Sequence, residues 1–287
     1  MKIKIWGCRG SLATPGRGTI RYGGHTTCVE IRTRDGHLII VDAGSGLRAL
    51  GLDLVKEKSL RHVTMLLTHA HWDHLTGFPF FAPAYSPDFA ITFCGGPIAR
   101  ESIRSYLLHQ MRPPFFPVEF SHLKAQFKFG CECGVSNCHG KLSGINGSFR
   151  CQAIPLNHPN GGRGFKFVED GKSFVFLTDN ELSFKHPGGL SRSEYVSHCA
   201  QADLLLHDAQ YRDAEYQKTR GWGHSTYADA VDLAIEAGVK RLGLFHHDPV
   251  RSDKALDRQL EVCRKRIVKA GSKMRCFAAA ENMAIQL

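Results

Sequence analysis

Short apolar runs alternate with polar, glycine- and proline-rich stretches along the entire chain. Runs at residues 3–6, 27–31, 38–41, 63–67, 90–93, 149–154, 165–168, 173–177, 204–206, 241–245 and 274–278 have the length and the branched or aromatic character of β-strands. Between them, residues 47–58, 98–110, 193–200, 227–237 and 254–269 repeat apolar positions at helical spacing. Strands predominate early, helices are interspersed, and a further strand–helix series follows. That order predicts an α/β domain with two layered sheets rather than a single doubly wound one. Residues 7–24 are rich in glycine and turn formers and predict a surface loop; 130–147 is a second such stretch, unusual for its cysteines. With no repeat or linker, residues 1–287 read as a single domain carrying 130–147 as an inserted loop.

Composition narrows the class without fixing it. A chain of 287 residues with 43% hydrophobic content can bury a sizeable core. The 37 basic against 27 acidic residues give a formal charge of +10, a field that attracts anions. The densest basic cluster, Arg264-Lys265-Arg266, falls in the predicted helix 254–269 and reads as a solvated face, so nucleic acid is possible but not favoured. No apolar run is long enough to span a membrane, and the opening residues Met1 to Trp6 alternate like a strand rather than a signal peptide. Ten cysteines without a secretory signal suggest reduced thiols or metal ligands, hence a cytoplasmic protein.

The chemistry concentrates in Thr68-His69-Ala70-His71-Trp72-Asp73-His74, which follows the apolar run 63–67. Two imidazoles separated by one residue can face one metal from a tight turn. Asp73 and His74 then start a new direction and can hold a second ion nearby. Imidazole and carboxylate donors suit zinc and related divalent cations such as manganese or iron.

This pattern resembles the His-X-His-X-Asp-His signature of the metallo-β-lactamase superfamily, and the rest of the chain carries the further motifs in order. Val41-Asp42-Ala43-Gly44 looks like the strand-end Asp-X-Gly that supports the metal loop from behind. Leu156-Asn157-His158-Pro159, Leu177-Thr178-Asp179-Asn180 and Leu244-Phe245-His246-His247 match the later ligand positions. The resemblance implies a four-layer αββα sandwich with two divalent metal ions, one held by His69, His71 and His158 and the other by Asp73, His74 and His246. Asp179 would bridge them. His246 and His247 are adjacent; the histidine directly after the strand is the expected ligand.

Within the superfamily, Leu206-His207-Asp208-Ala209 followed by Gly223-His224-Ser225-Thr226 looks like the paired motifs of the phosphodiesterase branch, which includes ribonuclease Z and cyclic nucleotide phosphodiesterases. The likeness makes Asp73, His224 and Asp208 the candidate catalytic residues, with His224 acting at the leaving group and Asp208 orienting it. It implies hydrolysis of a small cyclic or linear anionic phosphodiester. A lactone or thioester hydrolase, with Tyr211 or Tyr22 as oxyanion donor, is the second reading; an RNA-processing endonuclease of ribonuclease Z type and a non-enzymatic metal-binding regulator are others. The basic Gly/Pro-rich arm that ribonuclease Z uses on tRNA is not evident. Degenerate relatives lose ligands, and this chain keeps them. A homodimer is compatible with the sequence.

The segments around Arg9 and His25 resemble a bacterial subgroup of hydrolases, and both residues are weak candidates for substrate contact. Cys131, Cys133, Cys138 and His139 lie outside the family pattern; three thiolates and an imidazole are enough for a third, structural zinc.

Overall fold

The computed structural model describes residues 1–94, 97–130, 139–140 and 149–287, of which 97–102 and 139–140 are described by their backbone alone. One seven-stranded sheet has the order β14 (Ala284–Gln286), β1 (Lys2–Gly7), β2 (Cys28–Arg32), β3 (Leu38–Val41), β4 (His62–Leu66), β5 (Ala90–Cys94), β6 (Gln126–Phe129). The other has the order β13 (Arg275–Ala278), β12 (Arg241–Phe245), β11 (Leu204–Asp208), β10 (Lys172–Leu177), β9 (Arg163–Glu169), β8 (Arg150–Pro155), β7 (His139–Gly140). Each sheet is antiparallel on one side, through β14-β1-β2-β3 and β7-β8-β9-β10, and parallel on the other, through β3-β4-β5-β6 and β10-β11-β12-β13.

The four-residue strand β3 shows why the layers form. Leu38 and Ile40 pack outward with Leu47, Leu50 and Leu54 of α1 (Leu47–Leu54), while Ile39 and Val41 point inward to Ile3, Phe167 and Phe176. Alternation thus places both faces in apolar surroundings, which is why the strand reads as a continuous apolar run. In the second sheet Phe174 and Phe176 face the inter-sheet core, and Val175 and Leu177 face the opposite side. There they meet side chains of α3 (Arg192–Cys199), α5 (Tyr227–Glu236) and α6 (Asp253–Lys269). The helix α2 (Pro97–Gln110) joins α1 against the first sheet through Ile103 and Leu107. The result is the αββα sandwich, with three apolar layers between its four structural ones.

The predicted strands and helices are found with shifts of a few residues at their ends. Among the strands and α-helices four were not anticipated, one of them the two-residue edge strand β7 within the stretch expected to be a loop. The helix α4 (Asp213–Thr219) buries none of its residues, so no apolar stripe announces it. β6 and β14 are short edge strands that are only partly buried. One expectation is corrected: residues 7–24 are not simply a surface loop. Arg9 bridges to Thr26 on one side and His247 on the other, Gly10 N–H donates to His247 O, and Cys8 and Arg9 are fully buried. Small residues here permit close backbone approach instead of solvent exposure; a Cβ on Gly10 would lie 2.4 Å from His246 Nδ1.

The basic cluster in α6 is a solvated face, as expected: Arg266 pairs with Asp232 and Lys265 with Glu261. All seven described cysteines are buried. Among the described residues no helix is long and apolar enough to cross a membrane.

Candidate metal centre

The site lies where the carboxyl ends of strands from both sheets converge. His69 to His74 follow β4, His158 follows β8, Asp179 follows β10, Asp208 ends β11 and His246 follows β12. Three strand-end residues, Asp42, Asp179 and His246, hold left-handed backbone with φ of 65°, 52° and 59°. A side chain that must turn sharply off a strand end takes this conformation at a cost that glycine would avoid, but glycine carries no donor.

The donors fall into two sets that share one carboxylate. His69, His71, His158 and Asp179 have ligand atoms within 4.8 Å of one another, as do Asp73, His74, Asp179 and His246. Asp179 turns Oδ1 to the first set, 3.7 Å from His69 Nε2 and 3.9 Å from His158 Nε2. Its Oδ2 faces the second set, 3.2 Å from His74 Nε2 and 3.3 Å from His246 Nε2. The remaining edges are similar: His158 Nε2 to His71 Nδ1 is 3.1 Å and His246 Nε2 to Asp73 Oδ2 is 3.1 Å. A tetrahedral ion with bonds of about 2.0–2.1 Å sets its donors about 3.3 Å apart, so these spacings fit. The Nε2 atoms of His69 and His74 are buried without a hydrogen-bond partner, which leaves their lone pairs for a cation.

The surrounding residues aim the rings. Asp42 Oδ2 holds His74 Nδ1 at 2.8 Å and also accepts from Thr68 Oγ1, while its Oδ1 accepts from Thr68 N–H. Gly223 O holds His158 Nδ1 at 3.0 Å, and Gln210 Oε1 holds His246 Nδ1 at 2.8 Å. Fixing one ring nitrogen points the other at the metal position. Ser11 N–H donates to Asp73 Oδ2 at 2.8 Å, which brings the amino-terminal loop into the site.

Electrostatics agree with this division. Burial pushes the imidazoles of His69 and His158 down, His158 to about 4, so both are neutral donors. At His74 burial also acts downward, but the carboxylates of Asp73, Asp179 and Asp42 outweigh it and raise the ring well above its usual value. Three carboxylates around one buried ring make a locale that calls for positive charge, and a divalent cation supplies it.

Beside the second set lies the pair His224 and Asp208. His224 Nδ1 is 2.7 Å from Asp208 Oδ2, and the His224 ring stacks 4.9 Å from that of His246. Asp208 is itself fixed by N–H donors of Asp179, Gln210 and Ser225. Burial would lower the His224 imidazole, but the Asp208 charge and hydrogen bond overcome it and push it up to about 9. At neutral pH the ring holds its proton.

Other expectations part here. His246 joins the cluster, whereas His247 turns its Nε2 to Ala279 O at 2.8 Å. The reading of Arg9 as a substrate contact is corrected: it is wholly buried, and its Nε and Nη1 donate to the carbonyls of Gly23, Asp248 and Arg251. His25 is exposed and has Ser45 Oγ as its side-chain partner at 3.1 Å, and it joins neither donor set. Tyr22 donates its hydroxyl to Asp257, so it is no oxyanion donor; Tyr211 stands 5.8 Å from the His224 ring. Cys131, Cys133 and Cys138 lie outside the described residues, as does the side chain of His139.

Sequence reasoning missed Gln210 and Glu181. Glu181 is fully buried and accepts from Tyr216 Oη, Gly221 N–H, Gly223 N–H and His186 Nε2, at 2.7–2.9 Å. It ties the end of β10 to the loop that carries His224. Its place two residues after Asp179 was the available signal.

The domain family described as beta-lactamase superfamily domain matches residues 37–247 of the 287. The ribonuclease Z of Haloarcula marismortui is 23% identical over 283 residues, covering 86% of this chain and 86% of that protein. Human tRNase Z, short form, superposes with a TM-score of 0.63 at 21% identity, over 100% of this chain and 99% of that one. A diphosphatase from the PhnP family gives a TM-score of 0.67 at 15% identity, over 100% and 97%. A family match across most of the chain, with the two donor sets at its strand ends, makes this protein a member of the β-lactamase superfamily and a metal-dependent hydrolase of that fold.

Proposed function

We propose that the protein is a cytoplasmic phosphodiesterase that hydrolyses small cyclic or linear phosphodiesters, with two divalent ions, zinc by donor chemistry, held by the two donor sets. The observation that carries this reading is the buried His224–Asp208 pair, 2.7 Å apart, set against the ligand cluster. When bound, the ions would activate water at neutral pH and offset charge on the phosphoryl oxygens. Asp179 spaces the two sets, and Asp73 joins the second set while Ser11 N–H fixes it. Asp208 holds His224 at Nδ1, which leaves Nε2–H to face the departing ester oxygen and protonate it. A carbonyl hydrolase has less need of such an acid.

Exchanging leaving groups tests the role. A positioned acid is worth about 10²–10⁴-fold when the leaving group is an alkoxide and little when it is nitrophenolate. His224→Ala should therefore cripple hydrolysis of an alkyl or cyclic nucleotide diester, spare an aryl diester and keep full metal content. Unchanged alkyl-ester rates would put the lactone or thioester reading ahead; lost metal would make His224 a ligand. RNA cleavage is a second reading, supported by relatives named ribonuclease Z, and a pre-tRNA belongs in the same substrate panel.

A further inference from the structure

The metal centre opens into two pockets of opposite character. One, of about 540 Å³, is lined by His224, Ser11, Lys218, Trp222 and Val250, with Glu215 and Asp248 also in its wall. The other, of about 450 Å³, is lined by His69 and His71 together with Tyr106, Asn160 and Arg163. His224 belongs to the first pocket and not to the second; His69 and His71 belong to the second and not to the first. The centre therefore sits between them.

The charge of the two walls differs. The His224 side mixes Lys218 with Glu215 and Asp248, and presents Trp222, 61% exposed, as an aromatic face. Among the described residues the His71 side contains Arg163 and no carboxylate. Arg163 is placed firmly: its N–H donates to Thr68 O at 2.9 Å, and it pairs with Pro155 at the start of β9. Arg163 is half-buried, and its guanidinium has no hydrogen-bond or ion-pair partner among the described residues. The other described arginines that are buried or half-buried, Arg9, Arg32, Arg61, Arg192, Arg241 and Arg251, each make at least one side-chain hydrogen bond. A planar five-donor group left open beside a metal centre fits a phosphate, which it can grip through two parallel hydrogen bonds.

The two ester arms of a phosphodiester diverge from phosphorus. On the proposed reaction, the arm whose oxygen takes the His224 proton departs, and water supplies the oxygen left on phosphorus. That arm occupies the pocket of His224 and Trp222. We propose that the retained arm lies in the opposite pocket, where Arg163 reads a further phosphate on it. The substrate class is then a phosphodiester whose retained arm ends in a second phosphate and whose departing arm is uncharged and planar. This inference rests on the phosphodiesterase reading.

The test uses two esters with the same nitrophenolate leaving group: thymidine 5′-(p-nitrophenyl phosphate) and its 3′-phosphorylated form. With metal-loaded protein the 3′-phosphorylated ester should show a kcat/KM about 10–100-fold higher, the usual worth of hydrogen bonds to a charged group. Arg163→Ala and Arg163→Gln should abolish that preference and leave the parent ester within about twofold, while Arg163→Lys keeps part of it. Calorimetric binding of thymidine 3′,5′-bisphosphate should weaken by a similar factor in Arg163→Ala. Turnover of both esters with no preference, or an equal fall for both in Arg163→Ala, overturns the inference and leaves the phosphodiesterase reading standing. Bisphosphate binding that depends on Arg163, without turnover of either ester, supports the anion subsite and overturns the reaction. Bisphosphate binding unaffected by Arg163→Ala overturns the subsite whatever the turnover.

Discussion

Glu181→Gln is the sharpest test of how the site is held together. Glu181 is fully buried; Oε1 accepts from Tyr216 Oη and Gly221 N–H, and Oε2 from Gly223 N–H and His186 Nε2. Glutamine keeps the shape and one oxygen. Its amide nitrogen must then face two donors, so two charge-assisted bonds are lost and two donors are left without an acceptor. At about 1.5–3 kcal/mol per bond to a charged group, the loss is about 3–6 kcal/mol. At roughly 2 °C per kcal/mol for a chain of this size, Tm should fall by about 6–12 °C in a thermal scan. The effect on chemistry follows from position. Gly223 O fixes His158 Nδ1, and Gly223 precedes His224, so a loosened loop misplaces a metal donor and the acid together. Turnover of an alkyl diester should fall about 10–100-fold, the scale of an ångström-sized misplacement. Tyr216→Phe removes one of the four bonds and should cost about 1.5–3 kcal/mol with little change in rate. A Glu181→Gln protein that melts and turns over like wild type would refute the clamp.

Three further outcomes follow from the same geometry. Gly223 has φ of 92°, and a Cβ there would stand 2.0 Å from His158 Nδ1, so Gly223→Ala should lose metal from the His69, His71 and His158 set, read by metal analysis. His246→Ala should lose metal from the other set and nearly all activity. His247→Ala should keep both but melt lower, by roughly 1–3 kcal/mol of stability, because its buried ring bonds to Ala279 O. For pH, the Asp208 carboxylate raises His224 to about 9, so the alkyl-diester rate should fall as pH rises through that value. Asp208→Asn lowers the imidazole and should move that limb to lower pH; an unmoved limb would assign the titration to another group.

Much of the donor set was legible because it lies in local sequence at strand ends. His69-Ala70-His71-Trp72-Asp73-His74 directly follows β4, and Asp179 and His246 follow apolar strands whose edges are sharp. What was not legible depends on the convergence of two sheets. Gln210 becomes a partner of His246 only because β11 and β12 lie side by side in parallel register, Asp208 opposite Phe245. The loop at Cys8 to Gly10 reads as a turn from its composition, and nothing local shows that it is buried between Thr26 and His247. Arg9 was ambiguous for the same reason: a lone arginine in a glycine-rich loop looks solvent-directed until three distant carbonyls surround it.

The placement of donors on both sheets has an energetic consequence. Asp42, Asp73 and His74 come from the first sheet, and His158, Asp179 and His246 from the second. Between these ends the interior is apolar, with Phe165, Phe167, Phe174 and Phe176 facing Ile39 and Val41. Burial therefore joins the sheets along their length but supplies nothing at the rim, where the buried groups are carboxylates, imidazoles and three residues in left-handed backbone. Strain of order 1–3 kcal/mol at each such residue would favour relaxation of that rim if nothing countered it. Divalent cations shared across Asp179 would counter it, since binding to the folded state alone stabilises by mass action. The same arrangement keeps the chemistry at the seam. Asp208 ends β11 of the second sheet and holds His224 in the loop before α5, and Ser11 reaches Asp73 from the loop after β1, so a substrate held there touches groups from both halves. Neither half carries a complete donor set or a complete catalytic pair with its metal position, and the catalytic geometry is therefore a property of the packed sandwich rather than of any one motif.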